Sequence, residues 1–117
     1  MRRILLLEDD EMLRESVGAN LEDAGYQVDY AASAAAAGEL LDRGGYDLLL
    51  ADIKVPGGTG LDVADRAAAK GVKVLIVSGY AFALSRPDLM RYDCLQKPVG
   101  PKEILAAIAD KIGVARA

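Results

Sequence analysis

The run Leu48-Leu49-Leu50-Ala51-Asp52 is apolar until its last residue, which is a carboxylate. The chain then breaks into Ile53-Lys54-Val55-Pro56-Gly57-Gly58-Thr59-Gly60, a loop rich in Pro and Gly. A short apolar run bounded by turn residues reads as a buried strand. Any fold for this chain must therefore place Asp52 at the mouth of a core rather than on a solvated face. Taken alone, Asp52 reads more readily as a turn or capping residue, since Asp is common at strand ends. The choice rests on what other segments bring to the same place.

At 117 residues the chain is the size of one domain, residues 1–117, and large enough to enclose a core. With 52% hydrophobic residues it is not a disordered polymer. A net charge of -4 argues against nucleic acid binding, which leaves a basic footprint. The lone Cys94 excludes an internal disulfide and a cysteine-rich metal site. Arg2 and Arg3 precede only Ile4 to Leu7, too short a run for a signal-peptide core or a membrane span. The chain reads as soluble and cytoplasmic, with no membrane partner.

In chain order, Ile4 to Leu7 is a buried strand that stops at Glu8-Asp9-Asp10-Glu11. A helix follows, with Leu13, Val17, Leu21 and Ala24 on one face and Gly25 as its stop. Asp10 is a candidate N-cap, and capping alone would account for Asp10 and Glu11. It accounts less well for Glu8 and Asp9 directly on a strand end. Gln27 to Ala31 alternates, as in an edge strand. Ser33 caps an alanine-rich helix that ends before Gly44-Gly45. After the Asp52 strand and its loop, a third helix spans about Leu61 to Lys70. Val72 to Val77 is the most apolar strand and ends on Ser78-Gly79. Phe82 to Met90 has room for a short helix. Asp93 to Gln96 is a half-polar strand ending on Lys97-Pro98, and a last helix covers Pro101 to Ile112.

Strands alternating with helices predict an α/β domain with a parallel sheet and right-handed crossovers. The strands ending at residues 7, 52 and 77 are continuously apolar and belong in the centre, with the two half-polar strands at the edges. If one site collects the acids of the first and third strands, those strands are neighbours. The order 2-1-3-4-5, with helices on both faces, meets these demands. It is the doubly wound, flavodoxin-like arrangement, whose ligand crevice lies between strands one and three.

Three carboxylates there, Glu8, Asp9 and Asp52, cannot all stay ionised without a cation. Magnesium suits such an oxygen set, and the Lys54 backbone carbonyl is a candidate further ligand. Asp52 is then the candidate nucleophile toward phosphorus, giving an aspartyl phosphate. The Lys97 ammonium would offset charge on the phosphoryl group and the Ser78 hydroxyl would bond one of its oxygens. Each of these last two residues has a bland reading, as a solvated strand end and as a turn.

Glu8-Asp9, Asp52 followed by Pro56 and Gly60, Ser78-Gly79 and Lys97-Pro98 fall in order at the ends of four strands. In these motifs the chain resembles the receiver domains of bacterial two-component response regulators, over essentially its whole length. The resemblance implies that Asp52 accepts phosphate from a histidine kinase or histidine phosphotransfer protein. It implies magnesium held by Glu8, Asp9, Asp52 and the Lys54 carbonyl, and Ser78 and Lys97 as the residues that sense the phosphoryl group. Two departures stand out. The family usually carries Tyr or Phe three residues before the lysine, where this chain has Cys94. The segment from Ser78 to Lys97 is also short by about one helical turn, roughly three residues. Both fall on signal readout, in which Tyr92, Tyr80 or Phe82 are candidates to replace the missing aromatic.

Cys94 itself reads as a small hydrophobe rather than a redox sensor. Lys54 and Tyr80, each two residues beyond a site residue, are candidates to shield the phosphoryl group and set its lifetime. Only Gly113 to Ala117 follow the last helix, so the expectation is a stand-alone regulator or a fragment of a longer one, acting on a downstream protein target or an output domain. Two other classes are open. One is a receiver-fold interaction module that is never phosphorylated. The other is a small phosphatase-like enzyme, which would need a second acid where this chain has Lys54.

Overall fold

The computed structural model describes residues 2–55, 58–78, 92–96 and 99–113. In chain order the elements are β1 (Arg3–Leu7), α1 (Glu11–Asp23), β2 (Gln27–Ala31), α2 (Ala34–Arg43), β3 (Leu48–Asp52), β4 (Lys54–Val55), β5 (Gly58–Thr59), α3 (Gly60–Ala69), β6 (Lys73–Ser78), β7 (Asp93–Gln96) and α4 (Pro101–Ile112). β4 and β5 form a small antiparallel hairpin; the other five strands make one parallel sheet ordered β2-β1-β3-β6-β7. Setting the hairpin aside, this is the expected 2-1-3-4-5, with the half-polar strands at the edges.

The central strands are buried on both faces because helices cover both. Alternate residues of one strand point to opposite faces. Leu5 and Leu7 of β1, Leu49 and Ala51 of β3, and Val74 and Ile76 of β6 pack with Ala37 and Leu41 of α2 and Val63, Ala64 and Ala67 of α3. Ile4, Leu6, Leu48, Leu50, Leu75 and Val77 pack on the other side with Leu21 of α1 and Ile104 and Ile108 of α4. Ala37 of α2 and Ala64 and Ala67 of α3 are fully buried against this face of the sheet.

Local signals set the helix ends. Asp10 caps α1 by accepting the Leu13 N–H at 3.1 Å, and Ser33 and Thr59 cap α2 and α3 in the same way at 3.2 Å. Gly25 ends α1 with φ +100°, a conformation that favours glycine, and its N–H reaches the Glu22 carbonyl at 2.9 Å. Leu13 differs from expectation. It is 43% exposed although it shares the inner face with Val17, because it lines the open crevice between α1, the sheet and α4 rather than a closed core. The loop after Asp52 also differs, being folded into the β4–β5 hairpin. The short helix expected in Phe82 to Met90 lies outside the described residues.

The amino end of the sheet is tied by a polar network. Arg3 donates from its backbone N–H to Asp47 at 2.8 Å and from Nη2 to Asp29 at 3.0 Å, and its guanidinium lies 4.6 Å from the Tyr46 ring centre. The Tyr46 hydroxyl donates to the same Asp29 oxygen at 2.5 Å. Burial, reinforced by that bond to Asp29, pushes the Tyr46 hydroxyl up to about 12. Among the described residues no helix is long and apolar enough to cross a membrane.

Candidate functional site

Strand register builds the site. Leu7 of β1 pairs with Ala51 of β3, and Asp52 pairs with Val77 of β6. One residue beyond Leu7, the chain reaches Glu8 beside the end of β3. Adjacent strands lie about 4.8 Å apart, so carboxylates leaving two neighbouring strand ends must crowd. Ligand oxygens of Glu8, Asp9 and Asp52 all lie within 4.8 Å of one another.

The three acids sit in different surroundings. Glu8 is 7% exposed. Its N–H extends the ladder to the Ala31 carbonyl at 3.0 Å, and its Oε1 accepts the Asp10 N–H at 3.2 Å. Arg14, one turn into α1, donates from Nη1 to the Glu8 carbonyl at 2.9 Å and pins the turn between β1 and α1. Asp9 is exposed and Asp52 half-buried. The capping reading holds for Asp10, with Glu11 in the first turn of α1, while Glu8 and Asp9 come together with the third strand's acid.

The loop after Asp52 is held as tightly. Gly60 donates its N–H to the Ile53 carbonyl at 2.8 Å. A Cβ on Gly60 would stand 2.0 Å from the Asp52 carbonyl oxygen and 2.8 Å from its carbonyl carbon. No residue with a side chain fits there without moving Asp52. The motif made Gly60 visible in the sequence, but its reason is a close approach that only the fold reveals. Arg14 was missed; a basic residue one turn into a helix that follows four consecutive acids was the available signal.

Lys54 begins β4 and pairs with Thr59, and Ser78 ends β6 paired with Gln96. Lys97, Tyr80 and Phe82 lie outside the described residues. Cys94 is half-buried against the α2–α3 side of the core, and its Sγ contacts the Tyr92 carbonyl at 3.6 Å. Burial, and secondarily the Asp93 charge, push the Cys94 thiol up, so it is not poised as a thiolate. Tyr92 precedes β7 at the amino end of the sheet, away from the acids, and its hydroxyl donates to Asp65 of α3 at 2.5 Å.

Below the acids a crevice of about 430 Å³ opens between α1, the sheet and the start of α4. Glu8 and Asp52 stand among its walls, and most of the remainder is apolar.

A family model described as the response regulator receiver domain matches residues 4–109. The chain belongs to this family. It is 38% identical over 90 residues to the response regulator receiver protein CpdR of Brucella abortus, covering 75% of each protein. It is 34% identical to the alginate biosynthesis transcriptional regulatory protein AlgB of Pseudomonas aeruginosa, covering 96% of this chain but 26% of AlgB. The chain thus spans three quarters of CpdR and about a quarter of AlgB. In structure it is similar to a CheY-like receiver domain of Methanospirillum hungatei, with TM-score 0.87, 30% identity and coverage of 96% and 94%. It is also similar to TrrA of Thermotoga maritima in complex with Mg2+-BeF, with TM-score 0.86, 27% identity and coverage of 94% and 98%. Receiver domains of two-component systems work by phosphorylation of an aspartate and are in general not enzymes beyond removing that phosphate.

Proposed function

We propose that this receiver is an active phosphoacceptor. Asp52 takes a phosphoryl group from a histidine kinase or histidine phosphotransfer protein in a magnesium-dependent reaction. Phosphorylation then changes contacts with a downstream protein or an output domain. The observation that carries this reading is the convergence of Glu8, Asp9 and Asp52 to within 4.8 Å.

The donor set fits magnesium. It consists of hard carboxylate oxygens drawn from two strand ends, which is the chemistry that ion prefers. Glu8, Asp9, Asp52 and the Lys54 carbonyl would hold it, and when bound it supplies the positive charge that offsets the incoming phosphoryl group. TrrA, with the same fold, was crystallised with Mg2+-BeF.

Within this reading an Asp52 carboxylate oxygen forms the new bond to phosphorus. The bond from phosphorus to the donor imidazole breaks, and the ring leaves neutral, keeping the proton on its other nitrogen. Lys97 and Ser78 pair with the phosphoryl oxygens and sense them. Lys54 and Tyr80 govern how long the phosphate lasts. Readout passes through Ser78 and the region of Cys94 and Tyr92. With Lys54 two residues beyond Asp52, no acid stands there to turn over external phosphate esters. The exposed Met12 (81%) and Leu13 (43%) beside Asp9 and Glu11 offer an apolar foothold for the protein donor.

Beryllofluoride with magnesium tests the site directly. It should shift the backbone amides of Glu8 to Glu11 and of Asp52 to Gly60 in the native chain and leave them unmoved in Asp52→Asn. Unmoved amides in both proteins would sink the proposal in favour of a silent interaction module.

A further inference from the structure

Glu8, Asp9 and Asp10 make up the whole turn between β1 and α1. Both sides of that turn are held. On the strand side the Glu8 N–H reaches the Ala31 carbonyl at 3.0 Å. On the helix side the Asp10 N–H meets Glu8 Oε1 at 3.2 Å, and Asp10 Oδ1 accepts the Leu13 N–H at 3.1 Å. The Glu8 carbonyl lies one residue past the last β1 pairing, in a residue only 7% exposed. A buried carbonyl needs a donor. Arg14, half-buried one turn into α1, supplies it from Nη1 at 2.9 Å by reaching back across the turn. The bond goes to a backbone carbonyl and not to a carboxylate, so it leaves the acids' own oxygens to other partners.

Three carboxylates with ligand oxygens within 4.8 Å repel one another. A loose turn would relieve the repulsion by letting Asp9, the exposed member, swing away from Asp52. We propose that Arg14 is a positioning residue for the magnesium site: by fixing the Glu8 carbonyl it holds Glu8 and Asp9 beside Asp52 before the ion arrives. This role presupposes the magnesium-dependent site proposed for this receiver. Arg14 acts on the ion in two opposed ways. Its charge repels a cation, whereas its hydrogen bond keeps the ligands gathered. The charge is partly in solvent and screened. Groups that orient a metal's ligands typically change its affinity about 10–100-fold when removed, so positioning is the larger effect.

Arg14→Met tests this, since it removes the charge and the donor but keeps the apolar stem. Magnesium titration, followed at the amides of Glu8 to Glu11, should give binding at least about tenfold weaker than in the native chain. In the magnesium-free protein the backbone order parameters of Asp9 and Asp10 should fall from about 0.85 toward 0.6. Arg14→Lys, which retains the charge and a donor, should recover both. Arg14→Gln serves where Arg14→Met fails to give a folded amide spectrum. A purely electrostatic Arg14 predicts the opposite sign, tighter magnesium binding in Arg14→Met. A merely structural one predicts a lower urea midpoint with affinity and order parameters unchanged. Either result, or a lysine variant no better than the methionine one, would overturn the positioning role. A native chain without a saturable magnesium shift would instead sink the phosphoacceptor reading itself. That outcome is distinct from the failure of Arg14 alone, in which the native chain binds the ion and Arg14→Met binds it equally well.

Discussion

At the scale of single residues, the site depends on Gly60 as much as on its acids. Its φ is not in the left-handed region, so the demand is for space and not for backbone freedom. Gly60→Ala must displace the Asp52 carbonyl, which lies 2.0 Å from the added carbon. Overpacking of this kind costs about 1–3 kcal/mol. Urea denaturation should show that loss, and a magnesium titration should show weaker binding than in the native chain. Unchanged stability and unchanged magnesium binding would show that the close approach at Gly60 does not matter to the site. The acids themselves were legible in the sequence because each follows an apolar run, and the strand order brings two run ends together. The partner of Glu8's carbonyl, Arg14, left only a faint signal, a basic residue just beyond the acidic run, because one hydrogen bond across a turn leaves no periodic trace.

At the scale of elements, the regular pieces followed from periodicity and caps. β2, β3, β7 and α4 have the expected bounds, and Ser33 and Asp10 make the expected caps. Their burial repeats over several residues, so the pattern accumulates. The β4–β5 hairpin did not show itself, since two-residue strands within a Pro/Gly stretch carry no alternation to read. Helical spacing puts Leu13 on the inner face with Val17, and both line the crevice, but that crevice is open and leaves Leu13 43% exposed. Met12 beside it is 81% exposed, which has a functional consequence under the proposed role. Met12→Ala should slow phosphotransfer from a protein donor several-fold, because it removes the large exposed side chain on which the donor would dock. Its phosphorylation by acetyl phosphate, which needs no docking surface, should not change. Stopped-time assays with both donors separate the two effects, and equal slowing with both would contradict a docking role.

At the scale of the whole molecule, the two ends of the sheet do different work. The amino end carries the Arg3–Asp29–Tyr46 network and the carboxyl end carries the acids. Folding raises the hydroxyls of Tyr30 and Tyr46 from 10 to about 12, in both cases chiefly by burial. The folded chain thus holds protons that the unfolded chain releases first. This contribution to stability is complete below about pH 10 and is lost as pH rises toward 12. Tyr46→Phe should lower stability at neutral pH by removing the Asp29 bond and should flatten the alkaline decline, as followed by urea midpoints from pH 9 to 11.5. An unaltered alkaline slope would show that Tyr46 titrates alike folded and unfolded.

Under the proposed function, the acids at the carboxyl end make Asp52 a phosphoacceptor. Intact mass after incubation with acetyl phosphate, with and without magnesium, in the native chain and in Asp52→Asn, addresses it most directly. The expected result is a single added phosphoryl group that requires magnesium and is absent from the variant. No adduct in the native chain under rapid quench, or an adduct that persists in Asp52→Asn, would contradict it.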